Sequence, residues 1–142
     1  LTALAANNSA VGTWKLDPTK SSFQGQPLPK FEQLVVATDA PGALKWTMTG
    51  ATVDGRTYTD SYDGPIDGKH HPLKGMAPGS TIAYTRAANG DVSWTVNDKT
   101  GAVVETASGH LSEDGSTLTL KGTATDPSGK KAKFVSVFTR TQ

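Results

Sequence analysis

From Val11 to Arg140 the chain is a succession of short segments in which apolar and polar residues alternate, and no window longer than about ten residues carries helical periodicity. That pattern limits the chain to an all-β fold. The alternating segments fall at 11–16, 31–38, 43–49, 56–63, 80–86, 91–97, 102–112, 116–126 and 131–141, and they are rich in the Thr and Val that suit a pleated, half-buried surface. Strong turn signals separate them, among them Pro41-Gly42, Asp54-Gly55, Asn89-Gly90, Asp114-Gly115 and Ser128-Gly129. Most of these are of hairpin length, so consecutive strands are expected to be antiparallel neighbours in an up-and-down meander. Trp14 stands on the first strand and Arg140 on the last, and the two meet only if the sheet curls until its edges are neighbours. The expected architecture is therefore an antiparallel up-and-down β-barrel of about eight or nine strands.

Two connections are too long for hairpins. Residues 17–30 contain Pro18, Pro27 and Pro29 and cannot form a central strand, because each proline removes a ladder donor. Residues 64–79, punctuated by Gly64, Pro65, Gly68, Pro72, Gly75, Pro78 and Gly79, form one long loop between the fourth and fifth strands, of the kind that covers or rims a binding site.

With 14 Lys+Arg against 13 Asp+Glu the charges nearly cancel, and they are scattered, so no basic stripe for nucleic acid is present. The chain has no cysteine, which excludes disulfides and thiolate metal sites. No apolar run approaches the roughly 18 residues of a spanning helix. At 142 residues a single domain is expected over 10–142. Residues 1–9, with small residues in an A-x-A pattern, read as the remnant of an export signal or a linker, which implies a periplasmic or secreted protein.

Alternation assigns faces. Leu44, Trp46 and Met48 share one side of their strand, as do Val92, Trp94 and Val96, and Ile82, Tyr84 and Arg86. On the fourth strand, putting Tyr58 and Tyr62 inside also puts Arg56 and Asp60 inside; on the seventh, Val103, Glu105 and Ala107 share a face. The ninth is ambiguous, with Phe134 and Phe138 opposing Val135 and Val137. Interior carboxylates need partners, and Arg56, Arg86 or a tyrosine hydroxyl are the candidates. If the fourth strand lies instead at a rim, its charges sit in water. The lumen reading makes Trp46, Met48, Tyr58, Tyr62, Tyr84 and Trp94 the walls of an apolar pocket, with Asp60, Arg86 and Glu105 as orienting polar groups.

Histidine titrates near neutrality, so His70 or His71, placed on the long loop over a barrel mouth, could act with Asp60 or Glu105 in acid–base catalysis. Adjacent histidines on an extended segment point apart and are poor joint metal ligands, and no metal or cofactor is expected. No nucleophile elbow or metalloprotease motif accompanies them.

Gly12-Thr13-Trp14 on the first strand with Arg140 on the last resembles the structural signature of lipocalins and the wider calycin superfamily, in which the arginine packs across the tryptophan at the closed end of the barrel. The text from Gly12 to Ser21, Tyr62-Asp63-Gly64, Leu111 to Leu120 and Lys121-Gly122-Thr123 is similar to exported bacterial lipocalin-like proteins. The resemblance implies a structural role for Trp14 and Arg140 and says nothing of ligand choice. The segment Gly68–Gly75 departs from it, with two histidines where acidic and aromatic residues are expected. The leading expectation is an exported barrel that binds a small hydrophobic or aromatic molecule, with no nucleic acid and no membrane span. The alternatives are a small barrel enzyme (isomerase, cyclase or lyase) using Asp60, Glu105, His70 or His71, and an interaction module filled by its own side chains. Oligomeric state is not encoded in any of these features.

Overall fold

The computed structural model describes residues 9–75 and 77–141, and the expected remnant at 1–9 lies, Ser9 apart, outside them. Eleven strands follow one another: β1 (Gly12–Leu16), β2 (Ser22–Phe23), β3 (Phe31–Ala40), β4 (Ala43–Ala51), β5 (Thr57–Pro65), β6 (His70–Pro72), β7 (Thr81–Arg86), β8 (Val92–Asn97), β9 (Val103–Leu111), β10 (Thr117–Thr125) and β11 (Lys131–Arg140). No helix is present among the described residues. Every pairing is antiparallel, and the lateral order β5-β4-β3-β1-β11-β10-β9-β8-β7-β6 is the meander the turn signals imply.

The sheet is a nearly closed barrel with two more strands than expected, both short and both next to prolines or a tight turn. β2 pairs with β11 through Phe134↔Phe23 and Val135↔Ser22, continuing β1 along the same edge of β11. β6 lies inside the long 64–79 loop and pairs with β7, setting His71 opposite Ile82. Past β6, Lys74 and Ser61 exchange backbone hydrogen bonds at 2.8 and 3.0 Å, a single bridge that joins the loop to β5 and draws the two ends of the sheet together. Part of the loop is thus a stave of the wall.

At one end of the barrel Trp14 is fully buried, and its indole N–H donates to the Ala10 carbonyl at 2.9 Å. The Arg140 guanidinium lies 4.3 Å over the indole, a cation–π contact, and donates to the carbonyls of Gly115, Val11 and Ser9. Leu16, Leu34, Val36, Leu118 and Phe138 pack with Trp14 into one core cluster. A second cluster of Leu44, Tyr62, Ile82, Tyr84 and Val96 lines the opposite wall.

Two bulges reset the alternation. Ala37 is the extra residue of β3 between the pairs Val36↔Trp46 and Thr38↔Lys45, so Glu32, Leu34 and Val36 face inward before it and Asp39 after it. Val104 is the extra residue of β9 between Val96↔Glu105 and Asn97↔Val103. It corrects the expectation that Val103 shares the face of Glu105: Val103 is turned outward and exposed. The ambiguity of β11 resolves in favour of Phe134, Ser136 and Phe138 inside.

Candidate functional site

Between the two clusters the barrel encloses a cavity of about 550 Å³, within the range of small-molecule sites. Its walls come from the strands whose alternation is clearest. Trp46 and Met48 of β4, Ile82 and Tyr84 of β7, and Trp94 and Val96 of β8 all face it. Leu118 and Leu120 of β10 contribute from the far side, with Phe134, whose ring lies 5.9 Å from that of Phe23. The Trp46 indole N–H donates to the Tyr84 hydroxyl at 2.9 Å and ties β4 to β7. Tyr84 in turn packs on Tyr62 at 5.1 Å and Trp94 at 5.7 Å. Burial drives the Tyr84 phenol well above its ordinary range, so it is a neutral donor and acceptor.

Asp60, Arg86 and Glu105 line the cavity along with Trp46, Met48, Tyr84 and Trp94. Tyr58 and Tyr62 stand just behind it. Tyr62 is buried, and its hydroxyl donates to the Pro65 carbonyl at 2.7 Å. Tyr58 lies across Gly50, its cross-strand neighbour, where an added Cβ would come within 2.5 Å of the phenol carbon Cζ. Glu32 is the partner of Gly50 on the far side, so the bare glycine lets the Tyr58 hydroxyl reach over β4 and donate to the Glu32 carboxylate. Arg56 is not inside: it is exposed in the turn before β5, with its guanidinium 3.9 Å from Asp54.

Of the two acids expected inside, Glu105 takes a partner outside the expected set. Glu105 accepts from the Trp94 indole N–H at 2.7 Å. Arg86 is engaged at the other end of the cavity, 2.7 Å from Asp39, and donates also to the carbonyls of Ala40 and Gly90. Burial pushes the carboxyls of both Glu32 and Glu105 above their ordinary range. The bonds from Tyr58 and Trp94 pull them back, and the charge on Asp60 pushes both up again. The Asp60 carboxylate packs against Gly75, where a side chain would collide with it.

Neither His70 nor His71 lines the cavity. His70 is exposed, with Nδ1 3.0 Å from the Thr81 hydroxyl, and His71 Nε2 lies 3.0 Å from the Asp67 carboxylate. His110 is likewise engaged, 2.7 Å from Asp91. No group of three metal-ligating side chains occurs among the described residues.

Two lining acids, Glu32 and Asp39, escape the sequence reading. Glu32 shares the period-2 face of Leu34 and Val36, so the argument that singles out Asp60 applies to it equally. Asp39 has no such signal, because it turns inward only through the Ala37 bulge.

This geometry defines a class: a single antiparallel β-barrel of lipocalin-like form with a central cavity. No protein-family model matches the sequence, and no curated protein does. Among solved structures the chain is similar to Rv2717c from M. tuberculosis, at 16% identity with a TM-score of 0.58, covering 100% of this chain and 99% of that one. A redesigned β-barrel matches at 14% identity and a TM-score of 0.58 over 96% of both chains. The zebrafish ileal bile acid-binding protein, solved with cholic acid, matches at 14% identity and a TM-score of 0.50 over 93% of this chain and 99% of its own. At these identities the likeness is one of fold.

Proposed function

We propose that the protein binds a small, largely apolar or aromatic molecule inside its barrel. The observation that carries this reading is the roughly 550 Å³ cavity itself, walled by Trp46, Met48, Tyr84 and Trp94 and left unfilled by its own side chains. An interaction module with a packed lumen would not keep such a volume. Indole and phenol faces suit a planar or aromatic body, and the few inward polar groups suit the fixing of its orientation.

Titration with the neutral solvatochromic dye Nile red tests the reading. Its emission is expected to rise and saturate at one dye per chain, with quenching of the fluorescence of Trp46 and Trp94. Ser136→Phe, which fills the cavity from β11, is expected to abolish both signals while leaving the fold intact. Absence of saturable binding, or binding indifferent to Ser136→Phe, would overturn the proposal.

A second reading, acid–base catalysis in the cavity, draws on the raised pKa of Glu105 in an apolar wall. It narrows the expected catalytic set to Asp60 and Glu105, joined by Glu32, since both loop histidines stand outside the cavity. Loss of turnover in Glu105→Gln with ligand binding retained would establish it.

A further inference from the structure

The charge inside the cavity is strongly one-sided, and its arrangement bears on what the cavity accepts. Among the described lining residues are four carboxylates, Glu32, Asp39, Asp60 and Glu105, against a single cation, Arg86. Arg86 is held by Asp39, at 2.7 Å, and by the Ala40 and Gly90 carbonyls through its two terminal nitrogens, and its buried Nε–H is left without a hydrogen-bond partner among the described residues. Glu32 and Glu105 stand near the starts of β3 and β9, away from the Trp14–Arg140 closure, and the charge of Asp60, midway along β5, acts on both. Glu32 and Glu105 each accept a bond from one neutral donor, Tyr58 and Trp94, although an ionised carboxylate offers about four acceptor positions. No lysine or histidine is among the described lining residues.

We infer that the cavity selects an organic cation, an ammonium or amidinium group carried on an apolar or aromatic body, and discriminates against carboxylates. This deepens the ligand-binding reading and rests on it. A cationic head seated by Glu32 and Glu105 supplies counter-charge to the two glutamates and fills their open acceptor positions, while its body lies on Trp46, Tyr84 and Trp94. Indole and phenol faces also favour a cation. An anionic head at the same place meets like charges in a poorly solvated setting, where repulsion is least screened. The upward shift of the Glu32 and Glu105 carboxyls is the same deficit seen from the protein's side. The bile acid-binding protein of similar fold was solved with an acid; the inward acids here set this cavity apart from one that holds such a ligand.

Three probes with a common naphthalene body separate the possibilities: 1-naphthylmethylamine, 1-naphthylmethanol and 1-naphthylacetate, titrated by calorimetry near pH 7.5 at low salt. The amine is expected to bind at least tenfold tighter than the alcohol, and the carboxylate more weakly than either. In the double variant Glu32→Gln/Glu105→Gln the amine is expected to bind no tighter than the alcohol does to that same variant, so that the tenfold preference is lost. Asp60→Asn serves as a single-site check should the double variant fail to fold. Binding of the alcohol with no preference for the amine, or with the carboxylate tightest, overturns the charge selection and leaves the ligand-binding reading standing. If none of the three binds, both fall.

Discussion

Replacing Arg140 by alanine removes four interactions at once, and the structure sets their size. The cation–π stack on Trp14 at 4.3 Å is worth about 1 kcal/mol at a partly exposed site. With packing, the sequence alone would put the loss at roughly 1–2 kcal/mol. The structure adds three charge-assisted bonds to the carbonyls of Gly115, Val11 and Ser9, at 2.9, 2.7 and 2.9 Å. Fully buried, each would be worth roughly 1.5–3 kcal/mol, but the orphaned carbonyls lie at the barrel end where water replaces the lost donor, so about 0.5–1 kcal/mol each is the appropriate figure. The sum is about 3 kcal/mol. For a chain of this size that corresponds to a fall in Tm of roughly 10 °C. Urea unfolding followed by tryptophan fluorescence, with thermal melts alongside, measures it. Arg140→Lys keeps the charge but loses the planar fork, and should recover no more than about 1 kcal/mol. Because neither Trp14 nor Arg140 lines the cavity, probe affinity measured below the transition should be unchanged. A loss under about 0.5 kcal/mol in Arg140→Ala, or full recovery by lysine, would refute the account.

Other substitutions test other parts of the reasoning. Gly122→Ala places a Cβ against the Thr106 carbonyl oxygen and 2.6 Å from Ala107 Cα, both backbone, so β9 and β10 must part; a loss of at least about 3 kcal/mol, or failure to fold, is expected in denaturant melts. Gly50→Ala displaces the Tyr58 ring from its path over β4 and breaks its bond to Glu32; a destabilisation of roughly 1–3 kcal/mol is expected, and in a double-mutant cycle Gly50→Ala should cost less once Tyr58→Ala has removed the ring, leaving only the approach of the new Cβ to the Phe31 carbonyl at 2.9 Å. The Glu105 carboxyl is raised above its ordinary 4.5, so its contribution to stability is full below that value and is lost as pH rises through the raised one; wild type should gain stability relative to Glu105→Gln as pH falls from neutrality toward 4.5, read from urea midpoints at each pH. The turn aspartate Asp114, held down to about 2 by Ser116 and Ser112, acts in the opposite sense and only as pH falls below the ordinary 3.8, so the two windows do not overlap.

What the sequence conveys here follows the period-2 rule and stops where that rule is broken. The nine longer strands, the barrel closure at Trp14 and Arg140, and the inward sides of β4, β7 and β8 all follow from alternation and turn chemistry. β2 and β6 do not, because two or three residues beside prolines carry no period, and their place is set by the edges of β11 and β7. Val104 and Ala37 each insert one residue into a strand with no glycine or proline to mark the site. Those two bulges are why alternation points Val103 inward and gives no sign of Asp39. Glu32 is legible and escapes only because an acid at a strand start reads as solvated. The histidines show the converse: residues that read as loop form part of the wall, and their side chains meet Thr81 and Asp67 outside the cavity.

The pairing of β1 with β11 also sets a schedule for synthesis. The hydrogen bond from Arg140 to Ser9 spans 131 residues, and it cannot form until the last strand has left the ribosome. Until then β1, β3, β4 and β5 have only one another to pair with, in a sheet whose free margins are β1 and β5. At about 5–20 residues per second, roughly 6–23 s separate the emergence of β1 from that of β11. For that interval the unpaired amides of β1 are a template for any passing strand. Lys15, exposed on that margin and paired in the finished barrel with Thr139, sets a charge there of the kind that discourages edge-to-edge pairing.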